Sequence, residues 1–87
     1  MSRLPPIHPG EILYNEFLLP QDITPNGLAK AVGVDARRMS GIVRAQRSIT
    51  AETALLFSRY FGNSAEFWMG LQNQYDLESA EDRLSHR

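Results

Sequence analysis

Apolar residues along the chain recur three and four positions apart, the spacing that lines one face of an α-helix. Leu13 and Phe17 make a first stripe, Leu28, Ala29 and Val32 a second, and Met39, Ile42 and Val43 a third. Ala54, Phe57, Ser58 and Phe61 make a fourth, and Phe67, Trp68, Leu71 and Tyr75 a fifth. No sustained alternation of β-branched and aromatic residues marks a strand. Five helices are therefore expected, and each has its own punctuation. Pro9 suits a first helical position behind His8, with Glu11 in the first turn and Pro20 as the stop. Thr24 caps the second helix ahead of Pro25, and Gly33 closes it in the left-handed conformation. Asp35 caps the third. Thr50 and Ser64 cap the fourth and fifth, with Gly62 ending the fourth. Beyond about Glu78 the chain turns polar, and the fifth helix is expected to fray there.

The second and third helices stand close together and change the picture. Two short helices joined by a glycine-containing turn are the layout of a helix-turn-helix. Ala29 is small where the third helix must cross, Gly33 sits at the turn, and Met39 and Ile42 follow where the third helix must plug the core.

Length and charge sharpen this reading. At 87 residues the chain has room for one domain, with an expected ordered core over about 8–78, a short N-terminal arm and a polar tail. The net charge is only −1, but its distribution is uneven. Residues 27–59 hold Lys30, Arg37, Arg38, Arg44, Arg47 and Arg59 against Asp35 and Glu52, a net +4, between flanks of −2 and −3. A basic centre on a helix-turn-helix is the electrostatic footprint of nucleic-acid binding. Chance clustering in a chain of 19 formal charges is the plain alternative.

An α-helix fits the major groove, and the exposed start of a recognition helix reaches base edges. The candidates there are Ala36, Arg37, Ser40 and Gly41. Arg37 suits a bidentate contact to guanine, and Ala36 a thymine methyl. Gly41 lets the backbone approach the groove, or is a tolerated helix glycine costing about 1 kcal/mol. Arg38, Arg44 and Arg47 suit phosphates, as do Thr24 and Asn26 at the start of the second helix. Solvated helix ends are the alternative for the arginines.

Nothing points to an enzyme. The histidines are His8, at a helix start, and His86, in the tail. His8 and Glu11 have no evident third metal ligand, and His8 reads as a capping or packing residue. No phosphate loop, Gly-x-Ser-x-Gly turn or His-Glu-x-x-His motif occurs. There is no cysteine and hence no disulfide or thiolate chemistry. No cofactor is expected, and no apolar run is long enough to span a bilayer. A second rival is a protein-interaction module that has lost DNA binding.

Four segments together resemble the HigA-type antitoxins, which belong to the Cro/C1-type (XRE) helix-turn-helix proteins. They are His8-Pro-Gly-Glu-Ile-Leu with Glu16-Phe-Leu, Leu28-Ala-Lys-Ala-Val-Gly-Val, Arg47-Ser-Ile-Thr-Ala-Glu-Thr-Ala-Leu, and Arg59-Tyr-Phe-Gly-Asn-Ser-Ala-Glu-Phe-Trp-Met-Gly-Leu-Gln. The resemblance covers about residues 5–78. It implies an all-α, lambda-repressor-like five-helix bundle with a central helix-turn-helix. It also implies a cytoplasmic homodimer that binds palindromic double-stranded operator DNA, represses its own operon and neutralises a HigB-type ribonuclease toxin. An orphan regulator with no toxin is the alternative. The family commonly has Asn-Gly-Lys-Arg where this chain has Arg44-Ala45-Gln46-Arg47, so a glycine suited to a left-handed turn is missing.

A dimer needs a surface outside the second and third helices. With Phe67, Trp68, Leu71 and Tyr75 facing the core, Met69, Gly70, Asn73 and Leu77 fall on the other side of the fifth helix and form the expected interface.

Overall fold

The computed structural model describes residues 4–85; His86, Arg87 and the first three residues lie outside the described residues. Every regular element among them is helical. α1 (Pro9–Ile12) continues directly into a π-helical segment (Leu13–Leu18), followed by α2 (Pro25–Val32), α3 (Ala36–Val43), α4 (Ala51–Phe61) and α5 (Ala65–Ser85). This is the expected five-helix bundle, with α2 and α3 as its helix-turn-helix.

The caps are the expected ones. The Thr24 hydroxyl accepts the Gly27 N–H at 2.9 Å, and the Asp35 carboxylate accepts those of Arg37 and Arg38. Thr50 accepts from Thr53, and Ser64 from Phe67. Gly33 closes α2 at φ 77°, a conformation that costs a side-chain-bearing residue steric strain. Its N–H and that of Val34 both return to the Ala29 carbonyl at 2.9 Å.

Three expectations are corrected. The first concerns the stripe on the first helix. Leu18 joins it: Leu13 and Leu18 are fully buried, and Phe17, half-buried, packs against the same core with its ring 5.0 Å from those of Phe61 and Trp68. The cause is the π winding, in which N–H groups bond five residues back and residues five apart share a face. Leu19 N–H to Tyr14 carbonyl at 2.9 Å is such a bond. The second concerns Phe67, which is 39% exposed even though its ring meets Trp68 at 5.0 Å. The third concerns the end of α5, which runs to Ser85 rather than Glu78. Polarity does not end a helix, and residues 79–85 hold neither proline nor glycine.

The core is built on Trp68 and Phe57, both fully buried with ring centroids 5.3 Å apart. Leu13, Leu18, Leu28, Met39, Ile42 and Ile49 close around them. The Trp68 indole N–H is satisfied by Asn63 at 2.8 Å. One contact ties the recognition helix into this body. A Cβ placed on Gly10 would overlap the Ile42 carbonyl, so α1 and α3 meet backbone to backbone.

Gly10→Ala should therefore displace α1 from α3. Overpacking a closed contact typically costs about 1–3 kcal/mol, and rigid backbone on the facing side puts this one at the upper end. Urea unfolding of the variant checks it. A loss below about 0.5 kcal/mol would mean that the two helices separate freely.

Candidate nucleic-acid interface

The first turn of α3 is open. Ala36 and Arg37 are exposed and Ser40, one turn on, is half-buried. Asp35 holds this turn from below by accepting the Arg37 N–H at 3.0 Å, which leaves the Arg37 side chain unused by the cap. The residues expected to read bases thus share the outer side of a short, capped helix, with the exception of Gly41.

Gly41 is buried. A Cβ there would lie 2.8 Å from both Cγ and Cδ of Arg47. The space that its missing side chain leaves is taken by the aliphatic stem of Arg47 and is not open to a groove. The reading of Gly41 as a point of close approach to DNA is corrected accordingly, and its role is to seat Arg47.

The cations divide. Arg44 and Arg47 are exposed in and just beyond the C-terminal end of α3, whereas Arg38 is half-buried. Arg38 donates from Nη2 to the Thr50 hydroxyl at 3.3 Å, bracing α3 against the start of α4. Thr24 and Asn26 are both exposed at the start of α2. Because the Thr24 hydroxyl accepts the Gly27 N–H, its own proton remains for an outside acceptor.

The loop after α3 contains what the sequence did not reveal. Ala45 takes φ 63°, the left-handed turn that the missing glycine would favour. The turn forms because its backbone is held at and after Ala45: the Ala45 N–H bonds the Ile42 carbonyl at 3.1 Å, and the Gln46 and Arg47 N–H groups bond the Gly41 carbonyl at 2.8 and 3.1 Å. Gln72 of α5, 3% exposed, accepts the Ile49 N–H at 2.8 Å and donates to Asp76 at 3.0 Å. A glutamine in the middle of an apolar stripe is the one sequence signal that marked this brace.

His8 is the second brace, and as expected it caps α1. It is 3% exposed, and its Nδ1 accepts the Gly10 N–H at 2.9 Å while Glu11 returns to the His8 N–H. The imidazole meets the Tyr75 ring edge-on at 4.8 Å. Burial holds its pKa below the usual 6.5, against the opposing pull of the nearby Arg47 backbone and of Glu11 and Asp76.

On α5, Gly70 and Asn73 are exposed and Leu77 is 72% exposed. Met69 is not on that face: it is half-buried against the core, one residue from Trp68. The longer helix adds Ala80 and Leu84, so Gly70, Asn73, Leu77, Ala80 and Leu84 follow one another at intervals of three and four. Leu84 is 62% exposed.

No family model matches the chain. It is similar to "Virulence-associated protein I" of Dichelobacter nodosus, 50% identical over 92% of this chain and 74% of the relative. It is 36% identical to "Antitoxin HigA-1" of Vibrio cholerae over 90% of this chain and 73% of the relative. Among solved structures, Pseudomonas aeruginosa antitoxin HigA with the higBA promoter superposes with a TM-score of 0.86 at 48% identity, covering 94% of each chain.

Two outcomes follow for stability. Since the neutral imidazole is favoured in the fold, His8 stabilises the protein fully above about pH 6.5, and that contribution falls as the pH drops toward its lowered folded pKa. Thermal melts of the wild type and His8→Gln across this range should diverge below about pH 6.5. Ala45→Gly should raise stability by about 0.5–1 kcal/mol, because glycine relieves the left-handed strain at some cost in unfolded-state entropy. A destabilised glycine variant would mean that Ala45 is unstrained.

Proposed function

The chain belongs to the HigA antitoxin family of helix-turn-helix proteins, and from this we propose that it is a DNA-binding antitoxin and autorepressor. It acts as a homodimer on palindromic operator DNA and neutralises a HigB-type ribonuclease toxin. The whole chain, residues 1–87, works as one domain, by binding and not by catalysis. It acts in the cytoplasm; no described helix is long and apolar enough to cross a membrane. The observation that carries the reading is the open first turn of α3 in a chain so similar to a HigA structure with its promoter.

Arg37 reads a guanine, with Ala36 and Ser40 beside it on the base edges. Arg44 and Arg47 hold phosphates, and Thr24 and Asn26 hold another at the start of α2. Arg38, already engaged with Thr50, contributes to phosphate binding from the rim. Half-sites of such dimers lie one helical turn, about 34 Å, apart. The stripe from Gly70 to Leu84 on α5 supplies the surface that sets this distance, since its two leucines are spaced for the face of a partner helix. The toxin binds away from α3, on the acidic flanks, because a protein that holds RNA needs a basic surface.

Operator titrations separate the two contact types. Arg37→Ala should cost about 1–3 kcal/mol on the operator and relax preference at one base pair. Arg44→Ala should weaken operator and scrambled duplexes alike and lower the salt slope by about one. An unchanged specificity ratio in Arg37→Ala would remove Arg37 from base reading. For the dimer, Leu77→Glu with Leu84→Glu should yield folded monomers in analytical ultracentrifugation, with weakened operator binding. A double variant that stays dimeric puts the interface elsewhere. Coexpression with the product of the adjacent reading frame, followed by size exclusion with operator, tests the toxin. A ternary complex supports separate surfaces, and a neighbour that never binds favours an orphan regulator.

A further inference from the structure

We propose that Gly41 is a positioning residue of the DNA interface: having no side chain, it gives the stem of Arg47 a bed on α3 and so presents the Arg47 guanidinium to a phosphate beside the base contact of Arg37. The proposal rests on the reading of Arg47 as a phosphate contact, and adds that α3 itself builds the contact before DNA arrives.

A glycine at this place works against its own helix. Glycine is the poorest helix former after proline. α3 is only eight residues long, and Gly41 lies in its interior. A helix this short has little stability of its own to lose. No turn calls for the glycine, since the left-handed glycines among the described residues are Gly33 and Gly62. Gly41 also differs from Gly10, where the atoms closest to an added Cβ are the Ile42 backbone. The three atoms nearest a Cβ on Gly41 all belong to one side chain, Cγ and Cδ of Arg47 at 2.8 Å and its Nε at 3.1 Å. The missing methyl group makes room for this arginine.

Arg47 is held twice by the same residue. Its N–H donates to the Gly41 carbonyl at 3.1 Å, and its stem lies over the Gly41 Cα. The chain on either side is fastened too. The Gln46 N–H bonds the same carbonyl at 2.8 Å, and the Ile49 N–H is taken by Gln72 at 2.8 Å. Arg47 nevertheless remains exposed. Backbone and stem are therefore placed while the residue stays open to solvent. The place is a useful one. Residues four apart are neighbours on a helix surface, so the bed at Gly41 adjoins the exposed Arg37. A base read by Arg37 brings its flanking phosphates to this side of α3. A side chain already in position gives up less rotamer freedom on meeting a phosphate than one that must be gathered from solvent.

Stability and binding consequently respond to Gly41 in opposite directions. A Cβ at this position meets a flexible, exposed side chain that can swing aside, and alanine is the best helix former. Gly41→Ala keeps the fold and displaces the arginine.

The test is a double-mutant cycle of Gly41→Ala and Arg47→Ala. Affinity is measured against salt on a labelled duplex carrying the DNA immediately upstream of the protein's own reading frame, and on a scrambled duplex. Melting is followed by circular dichroism. Arg47→Ala should lower the log–log slope by about one. Gly41→Ala should melt no lower than wild type, yet bind both duplexes about three- to tenfold more weakly. Its slope should fall by about half a unit or more. In the Arg47→Ala background the same substitution should be silent, so that the pair binds within about twofold of Arg47→Ala alone. Full affinity and slope in Gly41→Ala would overturn the proposal. So would losses that add in the pair, because a Cβ that meets DNA directly weakens binding whether or not Arg47 is present. If Gly41→Ala melts well below wild type, the pair decides: recovery on removing the arginine stem supports the bed, and a pair that stays destabilised overturns it. An Arg47→Ala variant with a full slope would instead overturn the phosphate reading on which the proposal stands.

Discussion

Between the first turn of α1 and the end of α3 there is room for backbone and nothing more. The Gly10 Cα faces the Ile42 carbonyl at a distance that no Cβ tolerates. α3 is only eight residues long and leaves its first turn to solvent. Such a helix has little of its own to hold it, because short isolated helices are marginal in water. Its position comes from the faces it buries: Met39 and Ile42 in the core, and backbone contact with α1. The His-Pro-Gly-Glu start builds that contact from both ends. Histidine and glutamate cap the turn reciprocally, proline starts it, and glycine lets it come close.

The segment after α3 is held by different means. It has little apolar surface apart from Ile49, and it carries five consecutive exposed residues from Arg44 to Ser48. Side chains of neighbouring elements secure it: the buried Gln72 of α5 accepts the Ile49 N–H, and Arg38 of α3 donates to the Thr50 hydroxyl at its far end. A buried polar group left without a partner costs about 1–3 kcal/mol, so such fastenings favour one arrangement over nearby alternatives. This firmness lets Ala45 sit in a left-handed conformation without glycine's freedom. An interface that binds phosphates benefits from such a loop, since ordering it at the moment of binding would weaken the complex.

α5 serves two regions. Its first half completes the core through Trp68 and braces the loop through Gln72, and its second half carries the exposed Leu77 and Leu84. Gln72, which secures the loop after α3, thus lies on the same helix as both leucines, about one and a half turns from Leu77 and more than three from Leu84.

The caps, the number of helices, the helix-turn-helix and the open arginines were legible because each depends on local chemistry. Thr24, Asp35, Thr50 and Ser64 cap the helices that follow them, Gly33 turns where its backbone freedom is needed, and Arg37 stands on the polar side of a short amphipathic helix. Three further features depended on neighbours far along the chain and so left no such mark. The π winding realigns Leu13 with Leu18 because both can then reach the same core. Gly41 reads as open until Arg47, six residues later, folds back over it. Met69 lies beside an exposed face by helical count, yet in the bundle it packs against the core. Periodicity assigns each residue to a face, but whether that face is covered is a property of what else arrives there, and only the packed tertiary structure decides it.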